Sequence, residues 1–119
     1  MIRVIGAGLA GCEAAWQIAQ AGLSVALYEM KPKKHTPAHH ADTFAELVCS
    51  NSLKASRLDS APGMLKAEME RLGSLLVPCA KATAVEAGGA LAVERHAFSR
   101  MVTEKIRSHP NIMICEEEV

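Results

Sequence analysis

The fold is decided by the first eleven residues, Met1-Ile-Arg-Val-Ile-Gly-Ala-Gly-Leu-Ala-Gly11, in which a β-branched run leads into three glycines. An Ala-rich stretch without proline follows as far as Ala21, and this pattern is typical of a helix. Gly6, Gly8 and Gly11 match the spacing G-x-G-x-x-G. Such glycines permit a tight turn, a close backbone approach to a pyrophosphate and close packing of helix on strand. The stretch therefore predicts the strand, turn and helix start of a nucleotide-binding unit.

The residues of this turn are the predicted contacts to the phosphates of a bound nucleotide. A helix start presents free backbone N–H groups and the positive end of the helix dipole, and both attract a pyrophosphate. A glycine motif alone is weak evidence, but the flanking strand and helix supply the context that it requires. The turn consists of Gly6, Ala7, Gly8, Leu9, Ala10 and Gly11.

A second strand-like run, Ser24 to Glu29, completes a β-α-β unit of about thirty residues. Glu29 follows Gly11 at the distance where such units place an acid that accepts hydrogen bonds from the ribose hydroxyls of adenosine. A carboxylate here repels the additional phosphate of NADP, so FAD or NAD is the expected nucleotide. Physical reasoning from these residues does not separate those two.

The composition is that of a folded domain, because 50% of the 119 residues are hydrophobic. Its 13 basic and 13 acidic residues cancel, so no strong overall field attracts nucleic acid or an anionic membrane. Aromatic residues make up only 3% of the chain, which argues against a surface that binds single strands by base stacking. No apolar run approaches the ~20 residues of a membrane span, so no membrane partner is expected.

The four cysteines are far apart in the sequence and form no C-x-x-C pair, which argues against a zinc site. Reduced cysteines in this arrangement are typical of a cytoplasmic protein. They are Cys12, Cys49, Cys79 and Cys115.

The stretch from Met30 to His40 combines two prolines with lysines and histidines, and this composition predicts a loop. Three roles are open for it: contact with the phosphates of a cofactor or an RNA, metal binding, and a solvated connection. Metal binding has the least support, because no cysteine or helical framework fixes the ligand geometry, and no metal is expected. The candidate ligands are His35, His39, His40 and Asp42.

Cys49 is the main candidate for a reactive side chain. It follows the apolar residues Leu47 and Val48 and precedes Ser50-Asn-Ser52. Hydrogen-bond donors around the sulfur favour the thiolate, which acts as a nucleophile or a proton-transfer group. Most free cysteines are instead small buried hydrophobes, so these residues alone leave both roles open.

Five blocks of the sequence are suited to comparison with known families. They are Gly6-Ala-Gly-Leu-Ala-Gly-Cys-Glu-Ala-Ala-Trp16, Leu27-Tyr-Glu-Met-Lys-Pro32, Thr36-Pro-Ala-His39, Phe44-Ala-Glu-Leu-Val-Cys-Ser-Asn-Ser-Leu53 and Ala87-Gly-Gly-Ala-Leu-Ala-Val93. Together they closely resemble the folate- and FAD-dependent tRNA uracil-5-methyltransferase family. The first block is shared with many flavoproteins, including the related glucose-inhibited division family. The second and fourth blocks are more particular and carry the identification.

The resemblance implies a flavoenzyme that transfers a one-carbon unit from methylenetetrahydrofolate to carbon 5 of the T-loop uridine in tRNA. Reduced FAD would supply the hydride that converts methylene to methyl, and NADH or NADPH would reduce the flavin. Cys49 matches one of the family's two active-site cysteines, as nucleophile or as acid/base partner. Glu29, Met30 and Lys31 match the second block and are assigned to cofactor binding. The tRNA partner rests on the resemblance alone.

The predicted fold class is α/β, a Rossmann-like FAD/NAD(P)-binding fold that forms the N-terminal part of a doubly wound, mostly parallel sheet. Residues 1–119 are expected to form a partial FAD-binding domain with an inserted loop and helical region at about 31–87. Within it, a helix begins at Ser60, and its apolar stripe is expected to join the core. That stripe consists of Leu65, Met69, Leu72 and Leu76. Further on, we expect extended chain at 80–87, a strand at 90–93, a helix that ends before Pro110 and a strand at 112–115.

Members of the resembled family are much longer than this chain, so it is expected to be an N-terminal portion that lacks turnover by itself. By the same resemblance, Glu118 and Val119 lie near adenine, and a frayed acidic end is the alternative. Two other functions stay open: a generic FAD- or NAD-dependent oxidoreductase, and a non-catalytic nucleotide-binding remnant. The oxidoreductase would leave the Cys-Ser-Asn-Ser run unexplained.

Overall fold

The chain begins with the predicted β-α-β unit. In this computed structural model, which describes residues 1–48, 52–55, 60–86 and 90–119, the unit consists of β1 (Ile2–Ile5), α1 (Leu9–Gln20) and β2 (Val25–Glu29). Because α1 ends just before Gly22, the chain turns back immediately toward β2, as the sequence indicates.

A three-stranded parallel sheet includes β1 and β2. Its strand order is β1-β2-β6, where β6 comprises Ile112–Glu116 and follows α4 (Arg95–Ser108). The register pairs Ile5 with Tyr28 and Glu29 with Glu116, so the carboxyl ends of all three strands lie at one edge. The α/β class with a Rossmann-like parallel sheet is confirmed, and parallel sheets of this type bind ligands at that edge.

The core lies between this sheet and helices α1 and α4. Small residues on one face of α1 are almost completely buried, which lets the helix pack close to β2. From α4, larger side chains fill the space beside β6, and the predicted helix and terminal strand are confirmed. The central core residues are Cys12, Ala15, Ala19, Val25, Leu27, Phe98, Val102, Ile106 and Ile112.

A second, antiparallel sheet was not anticipated from the sequence. Its order is β3-β5-β4, with β3 at Ser52–Ala55, β4 at Ala84–Val85 and β5 at Ala90–Val93. The strand at 90–93 is therefore confirmed. The expected extended chain at 80–87 is wrong for its first residues, because Ala80 to Ala82 end a helix, α3 (Leu76–Ala82). Alanine is a strong helix former, and in α3 the backbone N–H and C=O groups of this stretch form hydrogen bonds within the helix.

Helix α2 (Ala61–Arg71) begins as predicted, since the Ser60 hydroxyl accepts a hydrogen bond from the Gly63 N–H at 3.2 Å. Its expected continuation through Leu76 is wrong, because the chain reverses at Gly73, whose φ is +87°.

The apolar stripe was expected in the core, and this expectation is wrong for Leu65 and Leu72, whereas Leu76 packs against the core. Leu65 is 59% exposed and Leu72 is 80% exposed, whereas Met69 and Leu76 are partly buried. Helical periodicity identifies one apolar face, but it does not determine which element covers that face. Within the described ranges, no helix has the length and apolarity needed to cross a membrane.

Candidate functional site

The glycine turn between β1 and α1 is a rigid backbone structure. The Gly6 N–H donates to the Tyr28 carbonyl at 2.7 Å, and its φ of +94° is a conformation that favours glycine. A Cβ placed on Gly11 would lie 1.7 Å from the Gly6 carbonyl oxygen, so no side chain fits there. These two glycines are required by the turn itself.

Gly8 differs from its neighbours, because a Cβ there would meet no protein atom within 4 Å. Gly8 is the N-cap of α1 and supplies no side-chain hydrogen bond to the helix start, and the first turn carries no acidic residue. The first N–H groups of a helix have no partner within the helix. The open space at Gly8 therefore fits a pyrophosphate that approaches the backbone, as FAD or NAD would require.

Glu29 connects the turn to the loop that follows β2. Its Oε1 accepts from the Ala7 N–H at 2.9 Å, and its Oε2 accepts from the Lys31 N–H at 3.2 Å. A carboxylate has about four acceptor positions, so both oxygens retain capacity for ribose hydroxyls. The carboxylate is thus held at the end of β2, where the sequence analysis places the ribose.

A cleft of about 270 Å³ opens at the carboxyl ends of the three parallel strands. It brings together the turn, the predicted ribose acid Glu29, its neighbour Met30 and the chain end. Glu118 and Val119 line it, which fits their expected position near adenine. The lining residues are Ile5, Gly6, Tyr28, Glu29, Met30, Glu117, Glu118 and Val119.

Lys31 was assigned to cofactor binding, and that assignment stays a prediction. Its side chain is 95% buried and lies away from the residues that line the cleft. The ammonium Nζ donates to Glu46 Oε1 at 2.7 Å and to the Thr43 carbonyl at 3.1 Å. Only its backbone N–H reaches the predicted ribose acid, Glu29.

Glu46 is strongly stabilised as a carboxylate. Partial burial by itself raises the pKa of a carboxyl, but hydrogen bonds from Lys31 and from the backbone N–H groups of His40 and Ala41 outweigh it. Together with the charge of Lys31, they lower the pKa of Glu46 to about 2. Lys31 and Glu46 therefore form a charged pair across the loop.

The segment from Thr43 to Val48 leads directly to Cys49, which lies outside the described residues together with Ser50 and Asn51. Sequence reasoning missed two side chains that hold this segment. Ser99 Oγ lies 2.8 Å from Thr43 Oγ1, and Thr103 Oγ1 accepts from the Phe44 N–H at 2.8 Å. The only sequence pattern that could have indicated them is a pair of hydroxyl side chains, Ser99 and Thr103, one helical turn apart on the face of α4 that is directed toward the core.

Two of the described cysteines, Cys12 and Cys79, do not have the character of reactive thiols. Burial, with a contribution from the charge of Glu29, raises the pKa of Cys12 to about 12, and its Sγ donates to the Ala7 carbonyl at 3.4 Å. Burial also raises the pKa of Cys79. Both thiols are held protonated, so Cys49 stays the candidate for chemistry.

The loop from Met30 to His40 is irregular, as predicted. Lys34 pairs with Glu118, one of the cleft residues, at 2.8 Å, and both side chains are exposed. His35 Nε2 lies 2.8 Å from Asp42 Oδ1. Among the residues that the structure describes, no group of three or more His, Cys, Asp or Glu side chains is arranged to hold a metal ion.

A family model described as "Glucose inhibited division protein A" matches residues 1–119. The chain belongs to the glucose inhibited division protein A family. Within this family fold, the solved structure of Aquifex aeolicus GidA in its form II crystal aligns with a TM-score of 0.78. The alignment covers 99% of this chain and 19% of that chain at 21% identity, and at that identity it supports the fold alone.

Curated relatives of this family member have a more specific name. Over 118 residues, the chain is 63% identical to a protein of Acetivibrio thermocellus, 59% identical to one of Bacillus pumilus and 61% identical to one of Brevibacillus brevis. Each is named methylenetetrahydrofolate–tRNA-(uracil-5-)-methyltransferase TrmFO. The alignments cover 99% of this chain and 27% of each relative, so the chain spans about a quarter of their length.

Proposed function

We propose that this chain is the dinucleotide-binding, cysteine-bearing portion of a folate- and FAD-dependent tRNA uracil-5-methyltransferase. The observation that carries the proposal is the 63% identity over 118 residues to a relative named for that activity. The geometry supports it, because the turn, Glu29 and the cleft together have the form of a site for the ADP half of a dinucleotide.

The described residues would hold FAD through its ADP half. The open backbone at Gly8 and the start of α1 take the pyrophosphate, and Glu29 accepts from the ribose hydroxyls. FAD held by these residues would supply hydride chemistry, after reduction by NADH or NADPH, for conversion of the methylene unit of methylenetetrahydrofolate into a methyl group. The family resemblance favours FAD over NAD as the resident nucleotide.

Cys49 would act on the uridine of tRNA. Carbon 5 of uracil is a poor nucleophile until a thiolate adds to carbon 6 and places the electron pair on carbon 5 as an enolate. After carbon 5 has accepted the one-carbon unit, its proton must pass to a base, and the sulfur then leaves carbon 6. Cys49 fits either the addition to carbon 6 or the removal of the proton, and both roles require the thiolate.

The test is Cys49→Ala in a protein of full family length. We expect the variant to purify with its flavin and to lose folate-dependent methyl transfer to tRNA. The matched control is Cys115→Ala, which changes a half-buried cysteine of β6 and should keep both flavin and activity. Unchanged activity in Cys49→Ala would remove this residue from the mechanism, and loss of flavin would make it structural.

The same preparation separates the methyltransferase from a generic oxidoreductase. A methyltransferase incorporates the labelled one-carbon unit of methylenetetrahydrofolate into tRNA. A generic oxidoreductase consumes NADH or NADPH with a small-molecule acceptor and leaves tRNA unlabelled. Absence of label in the wild-type protein would contradict the proposal.

A further inference from the structure

The ion pair between Lys31 and Glu46 differs in burial from the other lysine–glutamate pairs among the described residues. Its side chains are only 5% and 13% exposed. The pair between Lys81 and Glu70 has the same N–O distance, 2.7 Å, but its side chains are 56% and 37% exposed. Removing one partner of a buried pair leaves an uncompensated charge, whereas an exposed pair contributes little.

The buried pair is connected directly to the nucleotide-binding turn. The backbone N–H of Lys31 donates to Glu29, and Glu29 also accepts from the N–H of Ala7. On its other side, the Ala7 carbonyl accepts from the Ala45 N–H at 2.8 Å. Ala45, the residue before Glu46, is therefore hydrogen-bonded to Ala7 of the turn. Lys31, the residue that pairs with Glu46, is hydrogen-bonded to Glu29, the proposed ribose acid.

The opposite side of the same segment is fixed by α4. Besides the hydroxyl contacts to Thr43 and the Phe44 N–H, the Phe44 ring is 1% exposed and lies 4.8 Å below the guanidinium of Arg107. Ala45 has a φ of +53°, a conformation that non-glycine residues rarely adopt. Tertiary contacts on both sides hold it there, and the chain reaches Cys49 four residues later.

We propose that Lys31 and Glu46 are positioning residues, whose buried ion pair fixes the segment from Thr43 to Val48 against the glycine turn and so sets the point from which Cys49 is presented. A buried ion pair is a poor way to gain stability, because two apolar side chains of similar size often stabilise a fold as well or better. An ion pair does fix the orientation of its side chains, because the Lys31 ammonium must lie within hydrogen-bond distance of both the Glu46 carboxylate and the Thr43 carbonyl. The expectation for turnover rests on the proposed function, whereas the expectation for thiol reactivity does not.

The experiment compares Lys31→Met and Glu46→Gln with Lys81→Met in the flavin-loaded protein of full family length. The first readout is the rate at which iodoacetamide alkylates Cys49, measured by peptide mass spectrometry, with Cys115 as the internal reference. The second is kcat and KM for methylenetetrahydrofolate, and the third is the flavin content.

We expect Lys31→Met and Glu46→Gln to change the Cys49 alkylation rate by about tenfold and to lower kcat by about ten- to a hundredfold, the effect of misplacing a reacting group. Alkylation of Cys115, the flavin content and KM should change little. Lys81→Met should behave as the wild type, because its pair is exposed and lies between α2 and α3. Lys31→Arg, which keeps the charge, should recover part of the Cys49 reactivity.

The proposal is overturned if Cys49 alkylation is unchanged in both variants, or if Lys81→Met alters it equally. Loss of flavin in both variants would assign the pair to cofactor binding instead and would also overturn it. Should the neutral variants fail to fold, Glu46→Asp shortens the pair by one methylene and is subject to the same two criteria. If the wild-type protein lacks methyl transfer, the proposed function fails, and the alkylation rates still decide the role of the pair.

Discussion

Glu29 makes two hydrogen bonds to backbone N–H groups before any ligand is bound. The position of the carboxylate is therefore set by Ala7 and Lys31, and a ribose that bound there would meet a preorganised acceptor. Preorganised acceptors bind more tightly, because less conformational freedom is lost on binding.

Replacing Glu29 with Ala should weaken FAD binding by roughly 1 to 2 kcal/mol, the order of a lost charged hydrogen bond. The measurement is a flavin-fluorescence titration of the flavin-free protein of full family length. Glu104→Ala, which removes an exposed carboxylate of α4, is the control and should bind FAD as the wild type does. Equal FAD affinity for the Glu29 variant would contradict the ribose assignment.

The lowered pKa of Glu46 predicts a specific acid sensitivity. Because the pKa is about 2 in the folded chain and 4.5 ordinarily, the carboxylate contributes stability above about pH 4.5. That contribution, on the order of 3 kcal/mol, is lost progressively as the pH falls from 4.5 toward 2.

The difference in melting temperature between wild type and Glu46→Gln should therefore be constant from pH 7 to about pH 5 and should shrink below that. Glu70→Gln, from the exposed pair of Lys81, serves as the control and should change the melting temperature little at any pH. A difference that is independent of pH down to about 3 would show that the carboxylate of Glu46 is not stabilised by folding.

At the scale of elements, the turn between β1 and α1 uses its glycines for different reasons. Gly11 has no room for a Cβ, because the Gly6 carbonyl oxygen lies 1.7 Å from its position. Gly8 has room within the protein, so its space is open to a ligand. The two positions therefore separate folding from nucleotide binding.

Gly11→Ala should destabilise the fold by about 1 to 3 kcal/mol or more, since the clash is with backbone. Gly8→Ala should leave the melting temperature of the flavin-free protein nearly unchanged and weaken FAD by about tenfold or more, because the new methyl group competes with the pyrophosphate. Thermal melting and flavin titration of both variants make the comparison. Wild-type flavin affinity in Gly8→Ala would place the pyrophosphate elsewhere.

Helix α1 also contacts the start of α3. Glu13 accepts from the Leu75 N–H at 2.8 Å and from the Leu76 N–H at 3.3 Å, and it is hydrogen-bonded to the Ser74 hydroxyl. This carboxylate caps the start of α3, where free N–H groups need acceptors. Helix α1, which follows the glycine turn, thereby also sets where α3 begins.

At the scale of the whole molecule, apolar side chains are exposed both on α2 and at the parallel sheet. Leu65 and Leu72 are exposed on α2, and Ile5 of the sheet edge is 68% exposed. This family member spans 27% of the length of its curated relative from Acetivibrio thermocellus.

The 119-residue chain alone is expected to show no folate-dependent methylation of tRNA, because it supplies Cys49 and an open cleft for the ADP half but only part of the predicted site. The assay combines the isolated chain with FAD, NADH, methylenetetrahydrofolate and tRNA, and the protein of full family length is the positive control. Turnover by the isolated chain would contradict this expectation.

Much of the site could be predicted because its determinants are close in sequence. The three glycines, the helix after them and the acid at Glu29 lie within one β-α-β unit, whose geometry follows from turn sterics and hydrophobic periodicity. The exposed stripe of α2 and the antiparallel sheet could not be predicted in the same way. Their outcome depends on which distant element packs against them, and periodicity carries no information about that.

By itself, the sequence determined the α/β class, the position of the nucleotide turn and the acid that faces it, because short-range sterics and spacing decide these features. Only the tertiary structure decided that the Lys31 side chain is buried against Glu46 and that the Ala45 N–H donates to the Ala7 carbonyl. These contacts join residues that are far apart in the chain. They exist because closing the core brings β2, the loop and α4 together, and buried charges and N–H groups must then find partners.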